Sequence, residues 1–437
     1  MKPHPRIASL RVPASRCLRA LTLSSLLLGP GTLPRSFAQG SLTPPPGPPG
    51  PTMKSLDQIE SRTPIESLPY TISAAGSYYL TRNLSVTSGD GITISSSDVS
   101  VDLNGFTISS TEATPAGTGI LFSGLRSNLS IRNGTIRGNV NIVGGSFTGS
   151  GFLNGIGGIF GAQNTLVSHV AVAGCMGHGI NLSTSSNSVE NCTVRMVAGT
   201  GINSDTVQNC TARNCGTAGI FGTTVTNCDA DTVTGTAIFA STATNCKALT
   251  SAGTDSGLIA DCAVNCIGES NSSGFGISGK TVRNCKAFSR FSKAIKADIV
   301  EGCHAVTTGA GQTAIEATIV SNSYGETASG LGISAVSVLN SVGKTTSGSG
   351  ILASNVMNST GTSGSAAGSF GIQGGNFGVV QNSHGQAAGT SSIGIQARVV
   401  SCSQGTATAI GVQGITSAIG CFGQGTTPVA GNQFLVP

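Results

Sequence analysis

The chain has no tryptophan, only 4% aromatic residues and only 9% charged ones. A compact globule fills its centre with large side chains, so this shortage argues against one thick core. No apolar run reaches the length of about 20 residues that a bilayer-spanning helix takes. Acid is missing altogether from 327 to 437, where Lys344 and Arg398 carry the only formal charges. Acid–base chemistry needs positioned ionisable groups, so that end is a poor place for it. What the chain has instead is 63 glycines among Ser, Thr, Ala, Asn, Val and Ile. Such a mixture suits a long, thin interior built from many small pieces joined by turns.

The N-terminus reads as an export signal over 1–38. Basic residues (Lys2, Arg6, Arg11, Arg16, Arg19) precede the short apolar stretch "LTLSSLLL", and Ser36–Phe37–Ala38 offers a small-residue cleavage site. Removing this segment, which also holds Arg35 and no acid, turns the formal net charge of +5 into −1. A nucleic-acid binder needs a basic face of its own, so that class of partner is set aside. "PPPGPPGPT" follows within the linker 39–52; its two Gly-spaced triplets are too few for a collagen helix, and it is expected to be a stiff tether.

Two signals then alternate. One is Val-x-Asn-Cys: "VENC" (189–192), "VQNC" (207–210), "VTNC" (225–228), "ATNC" (243–246), "AVNC" (263–266), "VRNC" (282–285) and "VEGC" (300–303). The other is Gly or Ala before an aliphatic residue, as at Ile180, Ile202, Ile220, Ile238, Leu258, Ile277 and onward to Val412. After 303 serine takes the cysteine place in "VSNS" (320–323), "VLNS" (338–341), "VMNS" (356–359) and "VQNS" (380–383), and cysteine is expected to return at Cys402 and Cys421. Each unit is too small to bury its own apolar side, so the units must stack, pairing as parallel strands around one shared interior. The fold class is therefore all-β: a single-stranded parallel β-helix of about 16 turns. Right-handed winding is expected, because the hexapeptide pattern of left-handed coils is absent.

The Asn column falls at a corner, where Asn tolerates left-handed backbone and stacked amides can bond along the column. Twelve cysteines follow Cys17. In stacked turns their Cβ atoms point the same way at roughly 4.8 Å, too far for a disulfide and unable to converge on zinc. The column is read as demanding small volume, with no metal site and no cofactor.

From Met53 on the chain resembles secreted bacterial right-handed parallel β-helix repeat proteins of the pectate-lyase-like superfold. The likeness rests on "MKSLDQIESRTPI" (53–65), "LPYTISAAGSYYLTRNL" (68–84), "DGITI" (90–94), "VDLNGFTI" (101–108) and the repeats. It implies an N-terminal cap and first turn over 53–100, with 68–84 shielding the first strand edge, and repeats over 101–437. The same fold hosts polysaccharide lyases, hydrolases and non-catalytic surface proteins, and fold alone does not choose among them.

"MGHGI" (176–180) resembles the Gly-His-Gly of polygalacturonases. That chemistry also needs two acids, and the family's Asn-Thr-Asp and Asp-Asp motifs have no match upstream of His178; its basic motif is met only loosely by "AIKAD" (294–298). His178 is read as a variable repeat position, and no catalytic set is legible. Asp205, Asp261 and Asp298 share a repeat position, with Lys280 on the turn between the last two, which reads as a surface ion-pair ladder. The residue after the Cys column is more suggestive: Asp229, Lys247, Ile267, Lys286, His304 and Tyr324 should form one outward row, with Arg283, Arg290, Lys293 and Lys296 nearby. Phe221 and Phe239, on adjacent turns, are expected either to form an outward apolar stripe that stacks on sugar rings or meets another subunit, or to pack beneath a corner loop. The expectation is a secreted, non-catalytic surface, scaffold or glycan-binding element whose partner is a polysaccharide or cell-surface glycan, with oligomeric state open. The alternative is a lyase or hydrolase acting on uronic-acid polysaccharide, for which carboxylates would have to converge beside Lys247, Lys286 or His304.

Overall fold

The computed structural model describes residues 61–434, apart from 159 and 376. The chain divides into two units, 1–55 and 56–437, and all described residues fall in the second. The expected signal segment (1–38) and linker (39–52) lie outside the described residues.

One turn shows how the sequence makes the coil. Thr200–Gln208 runs along a first and a second face, Asn209 turns the chain at φ 53°, and Thr211–Cys215 forms a third face. The next turn repeats this with Ala218–Thr226, Asn227 and Asp229–Thr232. Neighbouring turns pair in parallel and in register, Ile202 with Ile220 and Ile238, Val207 with Val225 and Ala243, Thr211 with Asp229 and Lys247. Each face alternates inward and outward positions, as a strand must. The inward rows, Ile or Leu on the first face and Val or Ala on the second, are fully buried and merge into one core. The chain is thus all-β, a parallel β-solenoid of about 18 turns, close to the number expected.

The segment 68–84 is itself coil: Tyr70–Ile72 pairs with Ile92–Ile94, and Leu84–Val86 with Thr107–Ser110. Its Gly76–Leu80 strand lies on Thr63–Ile65, the first strand described. The regular coil is interrupted at Asn139–Val143 and Ser146–Ser150, which form an antiparallel hairpin.

The Asn corner behaves as the column predicts. Asn191, Asn209, Asn227, Asn245, Asn265, Asn284, Asn322, Asn340, Asn358 and Asn382 all hold positive φ between 48° and 55°. Amides bond from turn to turn, as from Asn245 Nδ2 to Asn227 Oδ1 at 3.1 Å.

The cysteine column corrects two expectations. Cys402 stands at the corner, with φ 47° and an exposed side chain, and Ser403 takes the inward place. More important, the column is a hydrogen-bond ladder as well as a filler. The Cys285 thiol donates to the Arg283 carbonyl at 3.1 Å and accepts the backbone N–H of Cys266, one turn earlier, at 3.3 Å. Ser341 does the same with Leu339 O at 2.7 Å and the Ser323 N–H at 3.2 Å. Buried N–H groups must find acceptors, and this requirement explains why only Cys and Ser alternate there. All twelve described cysteines are free thiols. Away from the ladder, burial pushes the Cys175 thiol up to about 12, so it stays protonated.

Candidate functional site

The outward row of the third face is real. Asp229, Lys247, Ile267, Lys286, His304 and Tyr324 pair in that order on successive turns. The outward row two residues further along brings Arg213, Asp231, Glu269, Phe288, Glu326 and Lys344 beside it.

These neighbours decide which charges remain open. Arg213 bridges to Asp229 and, at 3.2 Å, to Asp231. Glu326 accepts the Tyr324 hydroxyl at 2.7 Å and the Lys344 ammonium at 2.8 Å. Those two bonds hold the Glu326 carboxyl below the usual carboxylate range. Burial, and then the Glu326 carboxylate, push the Tyr324 phenol up, so it remains a donor. His304 meets the Tyr324 ring edge-on with centroids 5.0 Å apart. Lys247 and Lys286 have no ion-pair partner among the described residues. Along this cationic strip Asp229, Asp231 and Glu326 are neutralised, whereas Glu269, on the turn between Lys247 and Lys286, has no ion-pair partner among the described residues. Asp229 belongs to that neutralised group and offers no free carboxylate.

The other candidates do not join this row. Arg283 lies on the second face, bridged to Glu301 at 3.1 Å. Lys280 pairs with Asp261 at 3.0 Å, one half of the expected ladder. Lys293 is held by Glu316 at 2.6 Å, Lys296 sits over the Phe275 ring, and Arg290 over Phe291. Phe221 and Phe239 lie on the first face, stacked nearly parallel at 5.1 Å and about 40% exposed. Sequence spacing placed the row from Asp229 to Tyr324 correctly, but Arg283 belongs to another face, and the eight candidates occupy three faces.

His178 lies on the first face, with no carboxylate lining the cavity beside it. Its Nδ1 accepts the Thr200 backbone N–H at 3.0 Å, and the His178 backbone N–H donates to Asn154 Oδ1 at 2.9 Å. Burial holds its pKa below the usual histidine value. Asn154 and Asn181, which share its surroundings, were missed by the sequence reading. The available signal was polar residues at equivalent positions of successive turns (Thr118, Asn154, His178), obscured by the inserted hairpin and uneven turn lengths. Among the described residues no group of three or more His, Cys, Asp or Glu side chains is placed to hold a metal ion.

A family model described as the right handed beta helix region matches residues 71–222. That stretch thus matches a right-handed β-helix, and the parallel β-solenoid continues beyond it through the described residues. Among solved structures, it is similar to the A-module of a mannuronan C-5 epimerase from Azotobacter vinelandii, at 14% identity and a TM-score of 0.25, over 83% of this chain and 91% of that one. It is also similar to a hyperthermoactive exopolygalacturonase from Thermotoga maritima, at 13% identity and a TM-score of 0.22, over 74% of this chain and 83% of that one. No curated protein matches the chain.

Proposed function

We propose that this is a secreted, non-catalytic β-helix whose third face binds an acidic glycan. One observation carries the reading: on that face the acids Asp229, Asp231 and Glu326 are tied to Arg213 and Lys344, while Lys247 and Lys286 stand free two turns apart. Turns repeat at roughly 4.8 Å, so a linear polyanion lying along the axis meets the two ammonium groups in sequence, then His304 and Tyr324. Both lysines project from a rigid sheet, which limits the ordering cost of binding. Glycosidic cleavage wants an acid and a base facing the bond; Asp229, Asp231 and Glu326 are committed to ion pairs, which leaves Glu269 as a single carboxylate beside the two lysines.

The test is binding to polygalacturonate and alginate by affinity electrophoresis or calorimetry. The native protein should bind, more weakly as salt rises. Lys247→Ala with Lys286→Ala should lower affinity about tenfold or more, since every 1.4 kcal/mol is a decade. Enzyme-like shortening of either polymer would replace this reading with the lyase or hydrolase one. Equal binding by the double variant would reject the third face as the site.

A further inference from the structure

The first face carries a cavity that the cationic row does not explain. It holds about 200 Å³ and is lined by Thr118, Leu121, Asn154, Gly157, His178 and Asn181, with contributions from Ile156 and Gly158. Its origin is visible in the strand register. Leu121, Gly157 and Asn181 occupy one outward row on successive turns, and Thr118 pairs with Asn154 in the next outward row. Gly157 lies between the other two, and the backbone of the next turn already fills the space that its side chain would take. A Cβ there would lie 2.5 Å from the Asn181 carbonyl oxygen.

The hydrogen bonds fix what the walls offer. Because His178 Nδ1 accepts a backbone N–H, the neutral ring carries its proton on Nε2. Because Asn154 Oδ1 accepts the backbone N–H of His178, the remaining Asn154 group is its NH₂. By the same logic Asn181, whose Oδ1 accepts from Asn203, offers its NH₂, so three residues of the lining, His178, Asn154 and Asn181, bring neutral donors, and Leu121 and Gly157 bring none. No Lys or Arg lines the cavity, and a buried carboxylate without a counter-charge is costly. A carbonyl oxygen with a small apolar substituent matches the walls better. The volume is below the roughly 300 Å³ at which whole-ligand pockets begin, so an appendage enters and its carrier stays outside. The outward row beyond the cavity continues as Asn181, Asn203, Phe221 and Phe239, with the two amides bonded at 2.9 Å and the two rings stacked. Amides and exposed aromatic rings suit the hydroxyls and apolar faces of sugar rings.

We propose that the cavity beside His178 and Asn154 receives the acetyl group of an acetylated sugar chain lying along the first face. This rests on the glycan reading only in taking a sugar as the carrier; it uses a different face and different residues. Four probes separate the sources of the acetyl group: chitotetraose with and without its N-acetyl groups, and xylo-oligosaccharides with and without O-acetyl groups. Calorimetry on the full chain should show an acetylated probe binding at least about tenfold tighter than its deacetylated partner, the value of one good hydrogen bond. His178→Ala should abolish that preference. Leu121→Trp, at an outward half-exposed position, should abolish it by filling the hole without touching the core. The Lys247→Ala, Lys286→Ala protein should keep the preference while losing polyuronate binding, so the two readings can fail separately. Equal binding of acetylated and deacetylated probes, no binding of either acetylated probe by the folded native chain, or a preference that survives both variants would overturn the proposal.

Discussion

At the scale of a residue, the cysteine column shows how a hydrogen bond can hide behind a volume pattern. Ser323 and Ser341 are buried, and the Ser341 hydroxyl is the acceptor for the Ser323 N–H. Ser341→Ala keeps nearly the right volume but leaves that N–H without a partner. The expected cost is about 1–3 kcal/mol, the penalty of an unsatisfied buried donor. Cys285→Ala should cost a similar amount by orphaning the Cys266 N–H, whereas Cys285→Ser should stay within roughly 1 kcal/mol, because the hydroxyl can serve the same two partners. Urea unfolding midpoints read the difference; alanine variants as stable as the native chain would leave volume as the only demand. The exchange of Ser for Cys was legible in the sequence as spacing. Its reason was not, because the acceptor sits one full turn away from its donor.

At the scale of an element, a strand of the third face must pack across the interior against the start of the first-face strand, and the two approach differently along the coil. Ala230 and Ala248 occupy the second position after the column in the earlier turns, fully buried. Gly343, in the corresponding position, has the Gly350 carbonyl oxygen 2.1 Å from where a Cβ would stand. Gly343→Ala should therefore destabilise by at least about 1–3 kcal/mol through overpacking. Ala248→Gly should cost about 0.8 kcal/mol for the lost methyl, plus backbone entropy. Thermal or urea unfolding of the two variants checks the asymmetry, and a harmless Gly343→Ala would mean that the two strands separate easily. The outward row from Asp229 to Tyr324 was legible because it follows a fixed phase from the Cys column. The pairing of Asp229 with Arg213 was not, since it links a row to the next row on the preceding turn. The cavity beside His178 was hidden for another reason: empty space gives no signal in a sequence until the residues that line it are placed around it.

At the scale of the whole molecule, several changes coincide between two adjacent turns. Cys303 and Ala305 on one give way to Ser323 and Gly325 on the next. Serine and glycine then persist together at Ser341 and Gly343, Ser359 and Gly361, Ser383 and Gly385, and Ser403 and Gly405. Beyond Glu326 the only formal charges left are Lys344 and Arg398. The second face there also leaves Ile319, Leu339, Met357 and Val379 between 39% and 45% exposed, so each keeps a sizeable part of its apolar surface in water. Each later turn thus loses about one methyl of core, worth about 0.8 kcal/mol. In a solenoid, stability is approximately a sum over turns and their nearest-neighbour interfaces, so such losses accumulate along one stretch and are not shared by the whole chain. The turns from 343 to 423 should open before those from 193 to 305, as a lower-stability cooperative block. Hydrogen exchange followed by mass spectrometry in mild denaturant reads this directly. Peptides from the serine–glycine stretch should take up deuterium first, while peptides from the cysteine–alanine stretch stay protected until global unfolding. Uniform exchange along the rod would show that the coil unfolds as one unit, and that the change of core at residues 303–325 has no energetic consequence.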